Sequence, residues 1–188
     1  MTAGPIPGLG GTLLSPRAAS DWLDAAGSAS SEAAAVAQWA EDALRTLGPS
    51  SSERRLLETL EALTAGDLGF TCRRTQHIVI ASRGDGAPIL LTAAPWGRDP
   101  GPRALVRACI DAGAGWALVF NGTSLAIVDA RPGAPRRTAV LPLEHLAARA
   151  RTAALAGALL APPSGAAIGA AVCASDRTSR ELQHGLRA

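Results

Sequence analysis

The chain has no lysine and no tyrosine, and aromatic residues make up only 3% of its 188 positions. All 18 basic residues are therefore Arg. Gly8-Leu9-Gly10-Gly11 is glycine-rich but follows no strand and leads into no phosphate-binding Lys, so it is not a nucleotide loop. The scarcity of aromatics argues against a single-strand nucleic-acid binder that stacks bases. Cys72, Cys109 and Cys173 are too few and too far apart for a disulfide framework or a metal cluster. His77, His145 and His184 are equally scattered, so no metal and no cofactor is assigned. No apolar run approaches a bilayer span, and the first residues lack the basic start of a secretory signal, so the expectation is a cytoplasmic protein with no membrane contact. Asn121-Gly122-Thr123 matches a glycosylation triplet, but in that setting it reads as a turn. No Ser, His and acid stand in a nucleophile-elbow context, so no catalytic residue is named.

What the sequence does have is a strong β pattern in its centre. Trp116 to Phe120 is an apolar run, Asn121-Gly122 is a hairpin signal, and Ser124 to Asp129 is a second apolar run. Upstream, HIVIAS and APILLTAA flank the turn-rich Arg83-Gly84-Asp85-Gly86, which makes a second hairpin. Between the hairpins Leu105, Val106, Cys109 and Ile110 share a helical face, and Gly113 stands where that helix would stop. A core of Ile78, Ile80, Leu91, Trp116, Phe120, Leu125 and Ile127 follows, with Trp96 partly exposed at a strand end.

The flanks read as helices. Met1 to Gly11 is rich in Gly and Pro and is expected to be a loose arm. Ser15-Pro16 starts one helix, and an Ala-rich segment from Ser31 to Leu47 forms another. Ser50, Ser51 and Ser52 precede a third, capped helix, in which Leu56, Leu57, Leu60 and Leu63 recur at helical spacing. Thr138 to Leu143 is a short extended run. Glu144 to Leu160 reads as one helix, 162 to 165 as a linker, and the tail as helical from Ser175. The expected division is an arm and acidic helical pair over 1–50, an α/β core over 51–146 and a helical linker over 147–188.

Charge is unevenly distributed. Residues 1–69 carry four Arg against nine acids, a net of −5, while residues 70–137 carry nine Arg against four, a net of +5. A basic module suits phosphate-bearing partners.

The segment from Leu56 to Leu146 resembles the nuclease-like module at the head of restriction-modification proteins, the type I R subunits and the type IIG-like fused endonuclease-methyltransferases. The residues that carry the resemblance are LLETLEALTAGDLGF, APILLTAAPWG and GAGWALVFNGTSLAIVDAR followed by VLPLEHL. Ser175 to Leu186 resembles the helix that follows the module in such proteins. The resemblance implies an α/β fold with a restriction-endonuclease-like core: helix, three strands, helix, two strands, here with an N-terminal helical pair and C-terminal helices. Active members hold Mg²⁺ on an Asp and a second acid, with a Lys two residues on. Those positions fall near His77, at Ala93 and at Pro95, and Asp85 and Asp99 restore neither acid.

The implied function is that of a pseudoenzyme: a non-catalytic DNA-binding module of an adenine-specific methyltransferase, an endonuclease or a phage-defence protein. Its partners would be duplex DNA and a methyltransferase domain or subunit, with Arg73, Arg74, Arg136 and Arg137 as candidate phosphate contacts. Each of these also reads as a plain solvated charge. The alternative is a stand-alone interaction or structural module on an inactive nuclease scaffold, recognisable by an exposed Ala-rich face on the Glu144 to Leu160 helix.

Overall fold

The computed structural model describes residues 6–27, 30–75, 78–84, 86–98, 102–134, 137–162 and 164–185. The fold is mixed α/β. Three helices precede the central strands. Helix α1 (Pro16–Ala26) is capped by the Ser15 hydroxyl, which accepts from the Ala18 N–H at 3.2 Å. Helix α2 (Ser30–Thr46) follows, and then α3 (Glu53–Glu61), where the Ser52 hydroxyl accepts from the Arg55 N–H at 3.3 Å. A π-helical turn, Ala62–Asp67, prolongs α3, and inside it the Thr64 hydroxyl donates to the Leu60 and Glu61 carbonyls.

Strands β2 (Thr71–Arg74), β3 (Val79–Ser82) and β4 (Ile89–Ala93) form an antiparallel run. Helix α4 (Pro102–Ala112) then crosses over, so that β5 (Trp116–Phe120) lies parallel to β4, and β6 (Ser124–Asp129) returns antiparallel. The β5–β6 turn is built by Asn121, whose Oδ1 accepts from the Thr123 and Ser124 N–H groups at 3.0 and 2.8 Å and from both hydroxyls. Gly122 has φ +81°, and the Trp96 indole lies where its side chain would be.

Two further strands extend the sheet. β7 (Thr138–Pro142) pairs with β6, and β1 (Gly10–Gly11) pairs with β7, giving seven strands in the order β1-β7-β6-β5-β4-β3-β2. The expected loose arm is thus corrected at its end: Gly10 and Gly11 join the sheet, and Ile6 is buried. Only a glycine fits at Gly11, because a Cβ there would stand 2.0 Å from the Thr138 carbonyl oxygen.

Helices α5 (Leu143–Ala148), α6 (Ala150–Leu160) and α7 (Ser164–Gly185) complete the chain. The single helix expected from Glu144 to Leu160 is two, broken where Arg149 is extended at φ −123°, ψ 102°. The tail is helical from Ser164 rather than Ser175, which shortens the linker.

The two faces of the sheet are covered unequally. Val79, Ala81, Ile89, Leu91, Trp116, Leu118, Phe120, Leu125 and Ile127 pack with every helix but α4 into one cluster that draws on all three expected segments. The opposite face, with Leu90, Ala117, Val119 and Val128, is covered by α4 through Leu105 and Cys109. Five of the seven expected core residues are buried in the larger cluster. Ile78 and Ile80 are only partly buried, because β3 has the other parity and turns Val79 and Ala81 inward. Among the described residues no single helix is long and apolar enough to cross a membrane; α6 and α7 reach that length only together, across a bend of 118°.

Candidate functional site

Strands β2, β4 and β5 run in the same direction, so their carboxyl ends meet at one end of the sheet. The crevice outside strand carboxyl ends is where open α/β sheets hold ligands. Here the N-terminus of α3 leans over that end, and between them lies a cleft of about 710 Å³. Its lining comes from three places: Glu53, Arg54 and Leu57 of α3, Arg74 and Thr75 at the end of β2, and Thr92 and Ala93 at the end of β4.

The arginines are held from behind. The Arg54 Nε donates to Glu58 Oε1 at 3.0 Å, and the Arg74 Nη1 donates to the same oxygen at 3.4 Å. Arg74 also donates through Nε, at 2.9 Å, and through Nη2 to Glu61 Oε2. The hydrogen bond from Arg54, reinforced by Arg74, holds the Glu58 carboxyl below the usual carboxylate range. The hydrogen bond to Glu61 raises Arg74, so both charges are fixed at neutral pH. Thr75 closes the end of β2, its N–H and hydroxyl both donating to the Ile78 carbonyl at 2.9 and 3.1 Å.

The neighbouring loop is laced to the Asn-Gly turn. Ala94 donates to the Phe120 carbonyl at 3.1 Å, Gly97 to the Asn121 carbonyl at 2.9 Å, and the Asn121 Nδ2 to the Arg98 carbonyl at 3.1 Å. This fixes Trp96 over Gly122 and leaves Arg98 exposed at the same end of the sheet.

Among the described candidates, Arg73 and Arg74 are neighbours and Arg137 is not brought to them. Arg73 and Arg74 stand on β2, an edge strand, where Arg73 is exposed and Arg74 is ion-paired. Charged residues on an edge strand also block unwanted strand pairing. Arg137 precedes β7, at the other end of the strands and five strand spacings away, roughly 24 Å across the sheet. Its guanidinium pairs with Asp176 of α7 and lies 3.8 Å from the buried Asp129, so Arg137 ties α7 to the sheet instead of facing solvent. Arg136 lies outside the described residues, as do His77, Asp85 and Asp99. Ala93 lines the cleft, and Pro95 is exposed just beyond it. Among the described residues no three His, Cys, Asp or Glu side chains stand close enough together to hold a metal ion.

The sequence reading missed Glu53, Arg54, Glu58 and Glu61. The Arg54–Glu58 pair was legible as an i,i+4 pair on a capped helix. The reach of Arg74 back to Glu58 and Glu61 was not, because it depends on how β2 docks beside α3.

No protein-family model matches the chain, and neither the comparison with curated proteins nor that with solved structures returned a match.

Proposed function

We propose that this chain is a non-catalytic, DNA-associated module of a restriction-modification or phage-defence system, built on a nuclease-like scaffold whose cutting chemistry has been lost. The observation that carries the reading is the cleft at the carboxyl ends of β2 and β4, beside α3, which is lined by Ala93, the residue that the resemblance sets against a metal-binding acid. The element order supports it in part: a helix, three antiparallel strands, a crossover helix and the strands β5 and β6 follow the order implied by the resemblance, to which β7 adds a third strand. The chain has no Lys, and among the described residues Glu53 is the single acid in the lining, which fits a cleft without the Lys and acid pair of the active nucleases.

On this reading DNA meets the β2 end of the sheet through Arg73, Arg74 and Arg98, which contact phosphates and carry no sequence information. Arg137 drops out of the phosphate set, since it is largely buried between Asp176 and Asp129, whereas Arg74 stays exposed beside its acids. A methyltransferase domain or subunit would supply the catalysis.

The test is fluorescence anisotropy of a labelled duplex at 50 and 200 mM salt. Phosphate contacts predict that log K falls by about 0.9 per log unit of salt for each contact, with Arg73→Ala/Arg74→Ala weakening binding and lowering that slope by about 2. Salt-insensitive or absent binding, or Mg²⁺-dependent cutting, would overturn the proposal. For the interaction-module alternative, Ala153, Leu155, Ala156, Ala158, Leu159 and Leu160 of α6 are buried within the fold while Ala148 and Ala150 are exposed, and self-association of the chain in solution is its test.

A further inference from the structure

We propose that the cleft between α3 and the ends of β2 and β4 receives a single nucleotide carrying one phosphate. The inference rests on reading this end of the sheet as the nucleic-acid side, and it names what enters the cleft. At about 710 Å³ the recess has the size of a small-molecule site and cannot admit a duplex, whereas one nucleotide fits within it.

The lining divides the ligand into parts. Leu57 and Ala93 give an apolar floor against which a base can lie, with Thr92 beside them. Arg54 and Arg74 give two guanidiniums that share one carboxylate oxygen of Glu58 and are thereby held side by side. Arg54 directs only Nε to Glu58, so its Nη groups have no partner among the described residues; the Nη groups of Arg74 each keep one further N–H. Paired guanidinium donors of this kind match the oxygens of a phosphate. Glu53, on the same rim, repels that phosphate and accepts from a sugar hydroxyl or an exocyclic amine, which sets the direction in which the ligand lies. A simple anion would leave the floor unused, and an apolar ligand would leave the guanidiniums unused.

The nucleotide has two sources, a free mononucleotide or the 5′-phosphorylated terminal nucleotide of a strand, and the experiment separates them. Isothermal titration of the full chain with dAMP, deoxyadenosine and inorganic phosphate is compared with anisotropy of short duplexes bearing a 5′-phosphate or a 5′-hydroxyl. The expected result is that dAMP binds, and that deoxyadenosine and phosphate each bind more weakly. Arg54→Ala and Arg74→Ala should each weaken dAMP by roughly tenfold or more, while Arg177→Ala, exposed on α7, changes nothing. Arg54 is 84% exposed, so its variant folds and remains informative even if the Arg74 variant does not.

A strand end as the source predicts that the 5′-phosphorylated duplex binds more tightly and that dAMP displaces it; a free nucleotide as the source predicts that neither occurs. Failure of dAMP to bind at roughly 1 mM, equal binding of phosphate and dAMP, or binding indifferent to both arginines overturns the inference. Duplex binding without dAMP binding sinks the inference and spares the DNA reading. Binding of dAMP without duplex binding does the reverse.

Discussion

At Asp129 a carboxylate with no exposed side-chain surface accepts from the Arg131 backbone N–H at 3.2 Å and from its Nε and Nη2 at 2.9 and 2.7 Å. The Arg131 guanidinium also lies 4.5 Å from the Trp116 ring, and the hydrogen bond to Asp129 raises its pKa. Truncating one member of a buried pair leaves its partners uncompensated, which costs about 3–5 kcal/mol. Arg131 is 38% exposed and can regain water, so the low end applies. We expect Asp129→Ala to lower the unfolding free energy by about 3 kcal/mol in urea, whereas Arg74→Ala, whose partners are at the surface, costs less than about 1 kcal/mol. Equal losses would show that burial at Asp129 contributes nothing. These two sites also show where single-residue reading stops. In the sequence Arg74 and Arg137 look alike, each in a pair of arginines. What separates them is distance along the chain: the Arg137 partner Asp176 lies 39 residues on, in a segment whose helical start was read about ten residues late.

Among the elements, α6 comes close to the backbone of α2 at Gly157. A Cβ there would stand 2.6 Å from the Ala33 backbone nitrogen and 2.8 Å from the Glu32 carbonyl carbon. Replacing a helical Gly by Ala ordinarily gains about 1 kcal/mol. Here the obstacle is backbone, which cannot swing aside, and overpacking of this kind costs about 1–3 kcal/mol. The clash wins. Gly157→Ala is expected to lower the urea midpoint, while Gly169→Ala on α7, where nothing lies within 4 Å, raises it; a rise for both would mean that the two helices can part freely. The Asn121-Gly122 hairpin, the Ser15 cap, the capped helix start within Ser50 to Ser52 and the α4 stop at Gly113 were legible because their signals are local. The break between α5 and α6 was not, since Arg149 carries no Pro or Gly to announce it; α5 turns away there to seat Leu143 and Leu146 in the core. The cleft was not read from the sequence: Ala93 was singled out only through the resemblance, and the Glu58–Arg74 wall needed the tertiary fold.

For the molecule as a whole, the unequal covering of the sheet sets where it opens first. One face is buried under α1, α2, α3, α5, α6 and α7, and the other is covered by α4, which leaves Ile110 53% exposed and rests on the sheet through Leu105 and Cys109. Local opening is easiest where least apolar surface is buried. Cys109 reports on that opening directly. Burial pushes its thiol up to about 11, so in the folded protein it is both inaccessible and protonated at pH 8. In a Cys72→Ser/Cys173→Ser background, which removes the partly exposed and exposed thiols, labelling of Cys109 in rising urea should precede the loss of helical circular dichroism, because α4 lifts from the sheet while the six-helix side holds. Labelling that coincides with the loss of helix would instead make α4 part of a single cooperative unit, and the thin face would then be as firmly joined to the rest as the thick one.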